Sequence, residues 1–191
     1  MLIINPGDVV ILTDEESLKE DIKGLKLLIT NVIVIVEQAQ SCSWQLIETD
    51  SDRVLVIKSS LHTDAYDVKV MWESQDMPKG NKIDWVNLGF NWLFLAPQDE
   101  EFTGKDLVYT EEIFQNNDKF TQKSPTWYGT QSGEESDTFF AVHELASDSA
   151  DYGELIIFES GADNTDGGYI TFLQGKNIPV HEIEVLSRSE E

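Results

Sequence analysis

The sequence predicts a mainly β fold, α+β with little helix, in which antiparallel sheets form a sandwich or two packed small barrels or half-barrels. Two observations carry that prediction. Apolar and polar residues alternate with period 2 over several short runs, and clusters of Gly, Pro, Asn, Asp and Ser separate those runs. A third is the density of Val, Ile, Phe, Trp and Tyr, which suits a pleated, partly buried surface better than a helix.

Near the N-terminus, Thr13 is placed to cap a short helix, with Glu16 completing a capping box and Gly24 ending it. LLITNVIVIVE, residues 27–37, is apolar on both faces and β-branched, which predicts a central, covered strand. WQLIET, the turn Asp50-Ser51-Asp52, and RVLVIKS together predict a hairpin. In the next run Tyr66, Val68, Val70 and Trp72 share one face and mostly polar residues the other, the pattern of a half-buried strand. VNLGFNWLFLA, residues 86–96, places Val86, Leu88, Phe90, Trp92 and Phe94 on one face, with Gly89 as a bulge or kink. Further strands are predicted in LVYTEEIF, TFFAVHEL, ELIIFES, GYITFL and EIEVLS, and one more around FTQKS at 120–124.

A chain of 191 residues can bury a substantial core, so residues 1–191 are read as a single compact unit. Within it, a β-rich half at 1–74 and another at 84–191 are joined by the Pro-, Gly- and Lys-rich stretch 75–83. A second irregular region covers 115–137.

Charge is the most distinctive property. The formal net charge is −23, beyond the magnitude of about 2–8 that keeps a small domain soluble. Such a field opposes direct binding to nucleic acid or anionic membranes, because phosphate affinity comes from Lys and Arg. It favours a protein with a basic surface, a cationic ligand or divalent cations. Between Lys123 and Lys176 lie 52 residues with ten acids and no Lys or Arg. Most of these acids fall in predicted turns, so Glu134, Glu135, Asp137, Asp163 and Asp166 are candidate contacts for a cationic partner. PTWYG, flanked by Pro and Gly in polar sequence, adds Trp127 and Tyr128 as candidate exposed aromatic contacts.

Catalytic signatures are weak. The single cysteine, Cys42, excludes an intrachain disulfide or a multi-cysteine metal site and fits a reducing, cytoplasmic setting. His143 and His181 lie on predicted strands and read as structural. No phosphate loop, nucleophile elbow or HExxH motif is present, and no cofactor is implied. The longest apolar run, VIVIV, is far too short to span a membrane as a helix. ESGADNTDGG, residues 159–168, has the residue types of a calcium loop. With Gly167 at the sixth position, however, the first ligand position holds Ala162 and the twelfth holds Leu173, so a hairpin connection is the better reading.

The PGDVV segment, the SWQLIE hairpin and the ending GELIIFES…GGYITFLQGKNIPVHEIEVLS resemble a family of small, acidic, β-rich bacterial domains of unknown function. Some members are encoded beside genes of phage-shock-type envelope stress and polyamine metabolism. The resemblance implies an accessory or regulatory protein, in a stress-related role, and not an enzyme. Residues and resemblance together predict a non-catalytic acidic protein that binds a basic partner. A nucleic-acid mimic that inhibits a basic enzyme, and a carbohydrate- or cation-binding β module, are the alternatives.

Overall fold

A computed structural model of the chain describes residues 2–13, 18, 21–37, 41–73, 108–109, 120–124, 127–132, 138–148, 152–162 and 169–187. The described strands are β1 (Val9–Leu12), β2 (Lys26–Glu37), β3 (Cys42–Thr49), β4 (Arg53–Ser60), β5 (Tyr66–Glu73), β6 (Val108–Tyr109), β7 (Phe120–Gln122), β8 (Trp127–Gln131), β9 (Thr138–Ala146), β10 (Glu154–Ala162), β11 (Tyr169–Ile178) and β12 (Ile183–Leu186). Among the described residues the only helix is a 3-10 turn, Val180–Glu182.

All the pairings are antiparallel, and eight strands close on themselves. Two meanders, β2–β3–β4–β5 and β8–β9–β10–β11, meet where β5 pairs with β11 and where β2 pairs with β8. The pairing therefore describes one closed barrel with additional strands, in place of the expected sandwich or two small barrels. Closure removes the edges that two separate four-stranded sheets would expose. A glycine stands at each meeting line. A Cβ on Gly175 would lie 2.1 Å from the Val70 carbonyl oxygen, and one on Gly129 would lie 2.4 Å from that of Val36. Only a residue without a side chain lets the neighbouring strand backbones approach this closely.

Because successive residues of a strand point to opposite faces, buried apolar residues lie on both sides of the barrel wall. Outside it, Ile47, Leu55, Ile57, Val68, Val70 and Ile178 pack with Val10 and Leu12 of β1, Leu18, Ile22, and Ile183 and Val185 of β12. Inside it, Ile35, Trp44, Val56, Met71, Phe140, Val142, Ile156, Phe158 and Leu173 fill the lumen. Strand β1 joins the ends of the chain by pairing with β2 on one side and β12 on the other.

Several expectations meet this structure directly. The hairpin of β3 and β4 forms with Glu48 opposite Val54, and β5 occupies Tyr66–Glu73. That strand is not half-buried, however. Lys69 and Met71, on the face read as polar, are as buried as Val68 and Val70, because that face is the inside of the barrel. Strand β2 is central, pairing with β1, β3 and β8, but Leu28, Thr30 and Asn31 are exposed, so it is covered only in part. The FTQKS strand is present as β7, and LVYTEEIF is represented by β6. Residues 21–24 form a turn in which Gly24 has φ of 63°. Glu16 of the expected capping box, the strand at 86–96 and the connection at 75–83 lie outside the described residues. His181 is in the 3-10 turn and exposed, not on a strand as expected.

Candidate functional site

The inward-facing residues are apolar over most of the barrel's length, but toward one end they are charged. Lys58 comes from β4, Lys69 from β5, Glu144 from β9 and Glu154 from β10, while Lys123 follows β7. The lysine of β5 is the innermost, 2% exposed, with its ammonium 2.7 Å from Asn177 Oδ1, 3.3 Å from Glu144 Oε1 and 3.4 Å from Glu154 Oε2. Lys58 donates to Glu144 Oε2 at 2.8 Å. Lys123 donates to both oxygens of Glu154 at 3.1 Å, and Asn177 Nδ2 donates to Oε1 of the same carboxylate at 3.1 Å.

Two indole rings enclose one side of this network. The Lys58 ammonium lies 5.0 Å from the centroid of Trp44 and 4.7 Å from that of Trp127, within cation–π range of both. Trp127 Nε1 donates to Ser124 Oγ at 3.3 Å, and Ser124 Oγ lies 3.4 Å from Glu144 Oε2, so both rings border the ionic cluster. Trp44 also meets Phe158 edge-on at 6.4 Å between ring centres, which ties the cluster to the apolar lumen.

Burial alone would push the Glu144 carboxyl up. The Lys58 hydrogen bond and the charges of Lys69, Lys58 and Lys123 outweigh it and hold the group below the usual carboxylate range. A carboxylate held ionised and already bonded to ammonium groups is poorly suited to proton transfer near neutral pH, where a general acid or base works best with a pKa close to the operating pH. The cluster is an ionic cross-brace between the two meanders, linking β4 and β5 to β9 and β10.

A second polar feature opens at the turn between β3 and β4. It is a cleft of about 470 Å³ lined by Thr30, Glu48, Thr49, Ser51, Asp52, Arg53, Val54, Trp72 and Glu73. The Arg53 guanidinium lies 4.9 Å from the centre of the Trp72 ring and bonds Asp52 at 2.9 Å. Trp72 in turn meets Tyr152 edge-on at 4.4 Å, and the Tyr152 hydroxyl bonds Asp21.

The residues singled out from sequence are distributed differently. Trp127 is no exposed loop aromatic: it sits on β8, half-buried against the lumen, with its ring beside Lys58. Tyr128 follows it on the same strand and is also half-buried. Glu134, Glu135, Asp137, Asp163 and Asp166 lie outside the described residues. Strands β10 and β11, which flank the last two, pair with Ser160 opposite Tyr169, as a hairpin requires. Glu144 and Glu154, two of the ten acids of the 52-residue stretch, lie on the strands expected from TFFAVHEL and ELIIFES and face the barrel interior. Their partners Lys58 and Lys69 are distant in sequence. The only local signal was a lysine inside the apolar run VKVM. Among the described residues, no three His, Cys, Asp or Glu side chains stand together as a metal site, and no helix is long and apolar enough to cross a membrane. No family model, curated protein or solved structure matches the chain.

Proposed function

We propose that the protein is a non-catalytic, acidic binding or accessory protein that acts by contact with a basic surface on a protein partner. One observation carries this reading: the acidic excess behind the net charge of −23 stands on the surface, where Asp50, Asp52, Asp64, Asp67, Asp148 and Glu184 are exposed. Lys58, Lys69 and Lys123, three of the chain's 13 basic residues, are meanwhile engaged by Glu144 and Glu154. An excess of this kind speeds encounter with a basic partner and repels polyanions.

The test is affinity purification from the native host followed by mass spectrometry, at physiological salt and near 1 M, where the Debye length falls from about 8 Å to about 3 Å. The expected result is a reproducible basic protein that is lost at high salt. Recovery of no reproducible partner, or of one held equally at both salts, would sink the proposal.

A further inference from the structure

β1 and β12 extend the first part of barrel strand β2 into a three-stranded ribbon with one face on the outer core and the other toward solvent. Val10 and Leu12 face inward, so Val9 and Ile11 face out. The register places Val9 directly opposite Leu186 on one side and Leu28 on the other. Residues opposite each other in an antiparallel pair share a face. Leu186, Val9 and Leu28 are therefore a continuous apolar stripe across the ribbon, with Leu28 41% and Leu186 47% exposed.

This stripe runs toward the acidic cleft. Two residues beyond Leu28, Thr30 forms part of the cleft lining. Asp50, in the turn that carries Asp52, is bonded twice to Leu28. Its carboxylate accepts from the Leu28 N–H at 3.1 Å, and its own N–H donates to the Leu28 carbonyl at 2.9 Å. Among the described residues the cleft lining holds Glu48, Asp52 and Glu73 and one guanidinium, that of Arg53, which lies against Trp72 and Asp52, while Glu48 Oε2 accepts from Asn31 Nδ2 at 3.2 Å. Among the described residues around stripe and cleft, Glu48, Asp50, Asp52, Glu73 and Glu184 outnumber Lys26 and Arg53.

We propose that stripe and cleft are one docking surface for an extended segment of a partner protein that alternates apolar and basic side chains. Its apolar side chains cover Leu28, Val9 and Leu186, and a Lys or Arg enters the cleft among Glu48, Asp52 and Glu73. Apolar contact gives the segment its register, and charge complementarity selects it over acidic or neutral segments. This rests on the reading of the protein as a binder of basic partners and locates the contact.

The proposal is tested by calorimetric titration of the full chain with three short synthetic peptides: alternating Val and Lys, alternating Val and Glu, and Lys alone. The first is expected to bind, the second not to, and the third to bind about tenfold more weakly than the first. Leu28→Ser with Leu186→Ser should weaken the Val–Lys peptide about tenfold and leave the Lys peptide unchanged. Glu48→Gln, Asp52→Asn and Glu73→Gln together should weaken both. Circular dichroism melts confirm that each variant is folded, and all substituted positions except Asp52 can also be tested singly should a combination unfold. Equal loss of both basic peptides in the serine variant, or unchanged Val–Lys binding in either variant, would overturn this surface. If a basic partner captured from the native host still bound the serine variant at full strength, the docking surface would fall while the broader function stood.

Discussion

The packing outside and inside the barrel wall at β4 and β5 solves the same problem with different chemistry. Outside β4 and β5, Leu55, Ile57, Val68 and Val70 meet other aliphatic groups. Inside the same strands, Val56 and Met71 give way to Lys58 and Lys69, held by Glu144 and Glu154 across the lumen. Aliphatic packing is non-directional, scales with area, and tolerates repacking at constant volume. A buried ion network is directional: it contributes only when each charge keeps its partners, and it is strongly destabilising when one is removed. Neighbouring residues on a single strand therefore differ in how they should respond to substitution.

The largest expected effect probes that difference. Lys69→Met keeps an unbranched side chain of similar length but leaves Glu144 and Glu154 without the ammonium between them, and a loss of about 3–5 kcal/mol is expected. Leu55→Ala in the outer core should lose about 2–5 kcal/mol through transfer and cavity terms. The two variants separate in a double-mutant cycle. Lys69→Met combined with Glu144→Gln should cost less in urea unfolding than the sum of the two single losses, because both remove the same ion pair, whereas Glu144→Gln and Leu55→Ala should add. A Lys69→Met protein as stable as the parent would mean that the interior charges are not holding the barrel.

An intermediate effect is expected where the two meanders meet. Gly175→Ala must displace β5 or β11, since the added carbon meets backbone of Val70 and Met71, and about 1–3 kcal/mol should be lost. Gly129→Ala should behave alike at the other meeting line, against Val36. Melting temperatures of the two variants report this, and an unchanged value at either site would show that the strands there can separate freely.

The smallest effect is a dependence on pH. The Glu144 carboxyl titrates lower in the folded chain than in the unfolded one, where a glutamate has a pKa of about 4.3. Its stabilising contribution is thus fully present above about pH 4.3 and fades as the pH falls through the folded-state value. Glu144→Gln removes that dependence. The stability difference between parent and variant should narrow as urea midpoints are followed from neutral pH into acid. A difference that widened on acidification would contradict an ionised, lysine-bonded carboxylate.

Some of this architecture was legible one strand at a time. Strand β5 and the β3–β4 hairpin follow from alternation and turn residues, which act over a few positions. The same local reasoning mistook the inner face of β5 for a solvent face. Alternation marks two faces without saying what covers each, and a barrel covers both. Trp127 was misplaced for a related reason. Pro125 and Gly129 resemble loop punctuation, yet Gly129 is where β8 approaches β2 too closely for a side chain. The cluster of Lys58, Lys69, Lys123, Glu144 and Glu154 has one local sign in the sequence, the lysine inside VKVM, since its members lie on five separate segments.

What the sequence determined by itself is the strand content and the sign of the field around the molecule, because alternation, turn chemistry and total charge are local or additive properties. The tertiary structure alone decided that the two halves share one barrel, that lysines of the first half neutralise glutamates of the second, and that Leu28, Val9 and Leu186 lie side by side. Each of those depends on register between distant strands. Register is set by the collective fit of two faces and two meeting lines, and no single stretch of the chain contains it.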